Sequence, residues 1–93
     1  MIKSFKCAET QKIWNGYRSH KIPYEIQHRA VMKLRLLDVA ITLNDLKIPY
    51  SNSLESLKGD RKGQWSIRIN QQWRLCFQWN NAEVFDVEIV DYH

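Results

Sequence analysis

Glycine, proline and cysteine are scarce in this chain: three, two and two residues among 93. Gly59 and Gly63 are too sparse to build the glycine-rich loop that cradles phosphates in nucleotide-binding folds. Cys7 and Cys76 show no metal-ligand spacing and read as reduced thiols of a cytoplasmic protein, in which a disulfide is not needed. No segment approaches the roughly 18 apolar residues of a membrane span, and the opening "MIKSFKCAET" lacks the apolar run of a secretory signal. His20 and His28 lie eight apart with no nearby cysteine or histidine, which argues against a metal site. Glu55 and Asp60, five apart, do not by themselves support a glycosidase pair. Repeats, low-complexity tracts and composition breaks are absent too, so one domain is expected over residues 1–93.

What the chain has is apolar bulk and positive charge. Its apolar fraction is 44 %, with 12 % aromatic residues, enough for a core. The net charge of +4 and a pI near 9.2 suit an anionic partner without requiring one.

The alternation in "MIKSFK" predicts a short first strand. "AETQKIWNGYRSHK" predicts a helix, with Gly16 near its end and Ile13, Trp14 and Tyr17 on one core-facing side. Pro23 suits the first turn of a second helix. There Ile26, Ala30, Leu34, Leu37 and Ile41 form a stripe of 3.6-residue period, leaving Arg29, Lys33 and, on the first helix, Lys12 for exposed positions. Leu43 and Leu46 continue the pattern towards Pro49, and "PYSNSLESLKGDRKGQ" reads as a loop. Antiparallel strands follow. The expected class is α+β, with an N-terminal strand and two helices packed on one face of a twisted, mainly antiparallel sheet.

The segment "WSIRINQQWRLCFQW" fixes one register. Strand side chains alternate faces, so Trp65, Ile67 and Ile69 oppose Trp73, Leu75 and Phe77 only if Ile69 meets Trp73 across an Asn70-Gln71-Gln72 turn. Arg68 then faces Arg74. Like charges directly opposite are unfavourable in a sheet. Matching the apolar faces of "EVFDVEIVDYH" by strict alternation sets Phe85, Val87 and Ile89 against Phe77, Leu75 and Trp73, and gives Arg74 an ion pair with Glu88. Arg68 has no acid in that register.

If these registers hold, Lys58 and Arg61, Arg68 and Arg74, and the terminal Asp91-Tyr92-His93 converge on one end of the sheet. Arginine offers a planar fork for phosphate oxygens, histidine titrates near neutrality, and tyrosine stacks on bases or hydrogen-bonds a phosphate. Such groups could run metal-independent RNA cleavage by 2′-hydroxyl attack on the adjacent phosphorus. Taken alone, a C-terminal histidine is more often a frayed end than a catalyst, and a "KGDRKG" loop more often a solvated turn.

"SLKGDRKGQWSIRINQQWRLCFQW", the terminal "DVEIVDYH" and the opening "MIKSF" resemble the HigB branch of the RelE/ParE toxin superfamily. The match is specific from about Leu57 to His93 and is a length-and-pattern match through the helices. The resemblance implies a RelE-like fold and the toxin of a type II toxin–antitoxin module. It implies a ribosome-dependent endonuclease that cuts mRNA in the A site of the 70S ribosome without metal or other cofactor, leaving a 2′,3′-cyclic phosphate. By motif, Lys58 would neutralise the scissile phosphate and Arg74 the transition-state charge. His93 would be the leading acid–base candidate, supported by Tyr92 and Asp91. Arg68, with Arg61 and Lys62 of the loop, would bind RNA alongside Asp91. Some relatives have a histidine where Glu55 stands, so the resemblance does not assign the general base. The implied partner is a HigA-type helix-turn-helix antitoxin, with operator DNA bound only through that complex. Two other readings fit the same fold: a ParE-like inhibitor of DNA gyrase, and a non-catalytic RNA- or protein-binding module with a basic sheet face.

Overall fold

A computed structural model of the chain describes residues 1–92. Helix α1 spans Ala8–Trp14 and helix α2 spans Tyr24–Val39. Strands follow as β1 (Glu55–Ser56), β2 (Trp65–Arg68), β3 (Trp73–Asn80) and β4 (Glu83–Asp91). The sheet runs β1-β2-β3-β4, every neighbour antiparallel. The N-terminal segment lies along the outer edge of β4 as two parallel bridges, Ile2 to Val84 and Phe5 to Val87. It is a docked edge rather than a continuous strand.

Both helices pack on one face of this sheet, as the α+β reading requires. The stripe Ile26, Ala30, Leu34 and Leu37 of α2 is buried, and so is Ile13 of α1, against Ile67, Leu75, Phe77, Val84, Val87 and Ile89. Thr10 fastens α1 to β4, its Oγ1 accepting from the Ile89 amide at 3.0 Å. The connection between the helices is held by buried Gln27, which donates to the carbonyls of Ser19 and Ile22 at 2.8 and 2.7 Å.

Several expectations fail for local reasons. Tyr17 does not join the core: α1 stops at Trp14, Gly16 takes φ +91°, and Tyr17 is left 69 % exposed. Ile41 likewise lies beyond the end of α2 and is exposed. A 3-10 turn at Leu43–Lys47 instead buries Leu46, and Asp45 closes its start by accepting from the amides of Ile41 and Thr42 at 2.9 and 3.0 Å. The segment read as a loop contributes β1, which pairs Glu55 with Ser66 and Ser56 with Trp65.

The β2–β3 register is as read: Ile67 faces Leu75, Arg68 faces Arg74, and Ile69 N donates to Trp73 O at 2.9 Å. The β3–β4 register is not. Leu75 faces Ile89, Arg74 faces Val90, and Cys76 faces Glu88. Two features cause the shift: the β3–β4 turn is only Asn81-Ala82, both at positive φ, so Asn80 faces Glu83, and a bulge between Cys76 and Gln78, at which Asp86 takes φ 55°, adds one more position. One extra residue on β4 changes the face of everything before it. Val84 therefore takes the core side expected of Phe85, beside Val87 and Ile89, and Phe85 lies across from Gln78.

Candidate active site on the open face of the sheet

The sheet face turned away from the helices carries Ser66, Arg68, Arg74, Cys76, Glu88, Val90 and Tyr92 by alternation. Arg74 sits at its centre and is only 7 % exposed. A buried guanidinium must have its donors met, and three groups meet them. Arg74 Nε donates to Ser66 Oγ at 2.8 Å. Its Nη2 donates to the Ser53 carbonyl at 2.5 Å and pairs with Glu55 Oε1 at 3.1 Å. The expected Arg74–Glu88 pair is thus replaced, because the tight turn and the bulge together set Glu88 opposite Cys76 and β1 brings Glu55 alongside Ser66.

Glu88 instead holds Arg61, Nη1 to Oε1 at 3.1 Å, and Gln64 Oε1 accepts from the same nitrogen at 3.2 Å. Burial pulls the Arg61 pKa down. The hydrogen bond to Glu88 and the neighbouring Cys76, Glu88 and Tyr92 groups outweigh it, so the guanidinium ends above its ordinary value and fully charged. Burial also raises the Cys76 thiol pKa, which keeps it neutral near pH 7.

The chain end is tied to the β2–β3 turn. Tyr92 N donates to Gln72 O at 2.6 Å, and Gln72 Nε2 donates to both Asp91 carboxylate oxygens at 3.1 and 3.2 Å. Asp91 lies opposite Trp73, next to the Arg74 position. Tyr92 is 38 % exposed. His93 lies outside the described residues. Arg68 is exposed opposite Arg74 and makes no ion pair or hydrogen bond among the described residues.

Lys58 and Lys62 are exposed on the 3-10 turn at Gly59–Arg61, where the Lys58 carbonyl accepts from Arg61 N at 3.3 Å and Lys62 N donates to Gly59 O at 3.1 Å. This turn adjoins the Trp65 end of β2, since Leu57 N donates to Gln64 O at 2.8 Å. The expected convergence on one sheet end is therefore an arrangement along the whole face. Lys58 and Lys62 stand at one end, and Arg68, Asp91 and Tyr92 at the other. Arg61 and Arg74 lie between them.

The anchors Ser66, Ser53 and Glu55 were not singled out as such by the sequence. Ser66 could have been: it lies diagonal to Arg74 once the hairpin register is set. Among the described residues, no three His, Cys, Asp or Glu side chains gather to hold a metal ion. No helix among them is long and apolar enough to cross a membrane.

The fold is that of the RelE-like toxins. The chain superposes on YafQ from E. coli with a TM-score of 0.61 at 15 % identity, covering 98 % of this chain and 91 % of that one. It superposes equally, at 0.61 and 18 % identity, on a chain of the heterotetrameric YoeB–YefM toxin–antitoxin complex from Staphylococcus aureus, covering 100 % and 98 %. The family described as "RelE-like toxin of type II toxin-antitoxin system HigB" matches residues 3–93. The chain is 40 % identical over 80 residues to Toxin HigB-1 of Vibrio cholerae, 85 % of this chain and 84 % of that protein. It is 32 % identical over 93 residues to Endoribonuclease HigB of Proteus vulgaris, covering both completely. The chain belongs to the HigB-like toxin family and is a toxin of a type II toxin–antitoxin system, which implies an antitoxin partner.

Proposed function

We propose that this toxin is an endoribonuclease that cuts mRNA in the A site of the 70S ribosome, and that the open sheet face is its active site. The carrying observation is Arg74, a nearly buried guanidinium held from three sides at the centre of a face that also carries Arg61 and Arg68, with Lys58 and Lys62 on the adjoining turn. A relative matched along its whole length is named an endoribonuclease.

The reaction moves two protons. A base takes the proton of the 2′-hydroxyl, the 2′-oxygen bonds to phosphorus, and the P–O5′ bond breaks. An acid then protonates the leaving 5′-oxygen, giving a 2′,3′-cyclic phosphate and a 5′-hydroxyl. Charge grows on the non-bridging oxygens in the transition state, where fixed donors stabilise most. Arg74 serves here because Ser66 Oγ and the Ser53 carbonyl hold its guanidinium in one orientation. Glu55 is more than half exposed, so its pair with Arg74 is worth well under about 1 kcal/mol after solvent screening and yields to a phosphate. Lys58 neutralises the scissile phosphate, and His93, with Tyr92 and Asp91, supplies proton transfer and substrate support. Arg61, Lys62 and Arg68 hold the RNA backbone. None of these steps calls on a metal, so cleavage needs no metal beyond the magnesium that holds the ribosome together. A HigA-type helix-turn-helix antitoxin neutralises the toxin and carries the operator DNA contacts. The 93 residues act as one domain in the cytoplasm, where the substrate is.

Primer extension on an mRNA translated in a reconstituted system tests this. New 5′ ends at A-site codons, requiring ribosomes and absent with Arg74→Ala, are expected. Intact mRNA beside arrested replication would overturn the reading in favour of gyrase inhibition.

A further inference from the structure

A second basic feature lies around the edge of the sheet from Arg74. A groove of about 640 Å³ opens between α2 and the β2–β3 turn, lined among others by Arg29, Lys33, Ser51, Arg68, Asn70 and Gln71. None of its lining residues is acidic. Four cations elsewhere are matched with carboxylates, Lys3 with Glu83, Lys12 with Glu9, Arg61 with Glu88 and Arg74 with Glu55, and none of the three here is. Three cations converging without an acid repel one another unless something anionic joins them.

Two of the cations are held in place. Lys33 is half-buried and donates to Oδ1 of Asn52, whose amide is fully buried and itself donates to the carbonyls of Leu46 and Ile48 at 3.1 and 3.3 Å. Arg29 Nη1 reaches the Ile69 carbonyl at 3.4 Å. Burial lowers the Lys33 pKa, and Arg29 lowers it further, the signature of an ammonium short of negative charge. Arg68 belongs to both regions: it lines the groove and stands directly across from Arg74.

We infer that this groove is a binding site for a nucleic-acid backbone phosphate, through which a strand crossing the open face continues past Arg68 towards α2. The inference rests on the RNA-cleavage reading and extends it to Arg29 and Lys33, outside the catalytic face. The phosphate belongs either to the mRNA substrate or to ribosomal RNA, and the chemistry is the same for both.

The test compares wild type with Arg29→Gln and the Arg29→Gln/Arg68→Gln pair, both at exposed positions, with Lys33→Gln added because glutamine can still donate to Asn52. Lys12→Gln is the control for a charge removed elsewhere. Affinity is measured against salt for two probes: a short single-stranded RNA made uncleavable by 2′-O-methyl groups, and vacant ribosomes. On single-stranded RNA the slope of log affinity against log salt should fall by about 0.7 for each phosphate left unneutralised, and should not change in Lys12→Gln. Weakened binding to the short RNA assigns the mRNA strand, and weakened binding to ribosomes alone assigns ribosomal RNA. If groove variants match wild type on both probes while wild type still cuts mRNA on the ribosome, the groove inference falls and the cleavage reading stands. If wild type binds neither probe, the groove inference falls, and the cleavage reading falls with it only if wild type also leaves mRNA on the ribosome uncut.

Discussion

Replacing Arg74 by lysine keeps the charge and removes the fork. In the native chain Nε reaches Ser66 Oγ, and Nη2 reaches the Ser53 carbonyl and Glu55. A single ammonium can serve one of these directions. The missing hydrogen bond from a charged donor to a buried hydroxyl is worth about 1.5–3 kcal/mol, while the Glu55 pair, screened by solvent, adds little. For a domain of this size that lowers the melting temperature by roughly 6–24 °C. The variant stays folded at 25 °C, because the core under the helices is untouched. Cleavage on the ribosome should fall much further, by about 10²–10³-fold, the usual effect of removing one preorganised transition-state donor. The assay is single-turnover cleavage of a ribosome-bound mRNA, with thermal unfolding followed in parallel. Ser66→Ala should give a milder version of both effects and should add less than its own penalty when combined with Arg74→Lys. Cleavage at the wild-type rate in an Arg74→Lys protein of lowered melting temperature would refute the reasoning, since Arg74 would then be a structural residue alone.

Other consequences can be checked directly. Leu37→Ala, at a fully buried point of the α2 stripe, should lose about 2–5 kcal/mol in urea unfolding. Asn52→Ala removes the amide that holds two carbonyls and Lys33, and should destabilise by about 1–3 kcal/mol, with salt-dependent RNA binding weakened as well. The Cys76 thiol titrates higher when folded than unfolded, because burial raises it. Its contribution to stability is therefore complete below the unfolded thiol pKa and is lost as pH rises through the folded value, so Cys76→Ala should flatten the alkaline limb of the stability curve. Asp45 behaves oppositely. The Thr42 and Ile41 amides lower its pKa below 3.8, so its contribution is present above that value and is lost as pH falls through the lowered one. Unfolding measured against pH should lose its acid limb in part in Asp45→Asn.

The β2–β3 hairpin was legible because Trp65, Ile67 and Ile69 on one side and Trp73, Leu75 and Phe77 on the other admit a single register. The α2 stripe was legible for the same reason of period. The β4 register was not, since Asp86 places one extra residue in the strand and strict alternation cannot show where. That residue and the tight two-residue Asn81-Ala82 turn together moved Glu88 two positions, from Arg74 to Cys76, and freed it for Arg61. The clamp on Arg74 was hidden further, because it depends on a two-residue strand inside a serine- and asparagine-rich segment. Arg29 and Lys33 each looked like solvated helix charges. Only the fold of the β2–β3 turn against α2 brings them to one groove with Arg68.

The most direct test of the central claim is the chemistry of the cut ends. Mass spectrometry of mRNA fragments from ribosomes programmed with a defined A-site codon, made with and without a 2′-deoxy substitution at the scissile nucleotide, reads it. The account predicts a 2′,3′-cyclic phosphate and a 5′-hydroxyl from the ribose substrate and no cut in the deoxy substrate. A cut in the deoxy substrate, or a 5′-phosphate on the product, would contradict it.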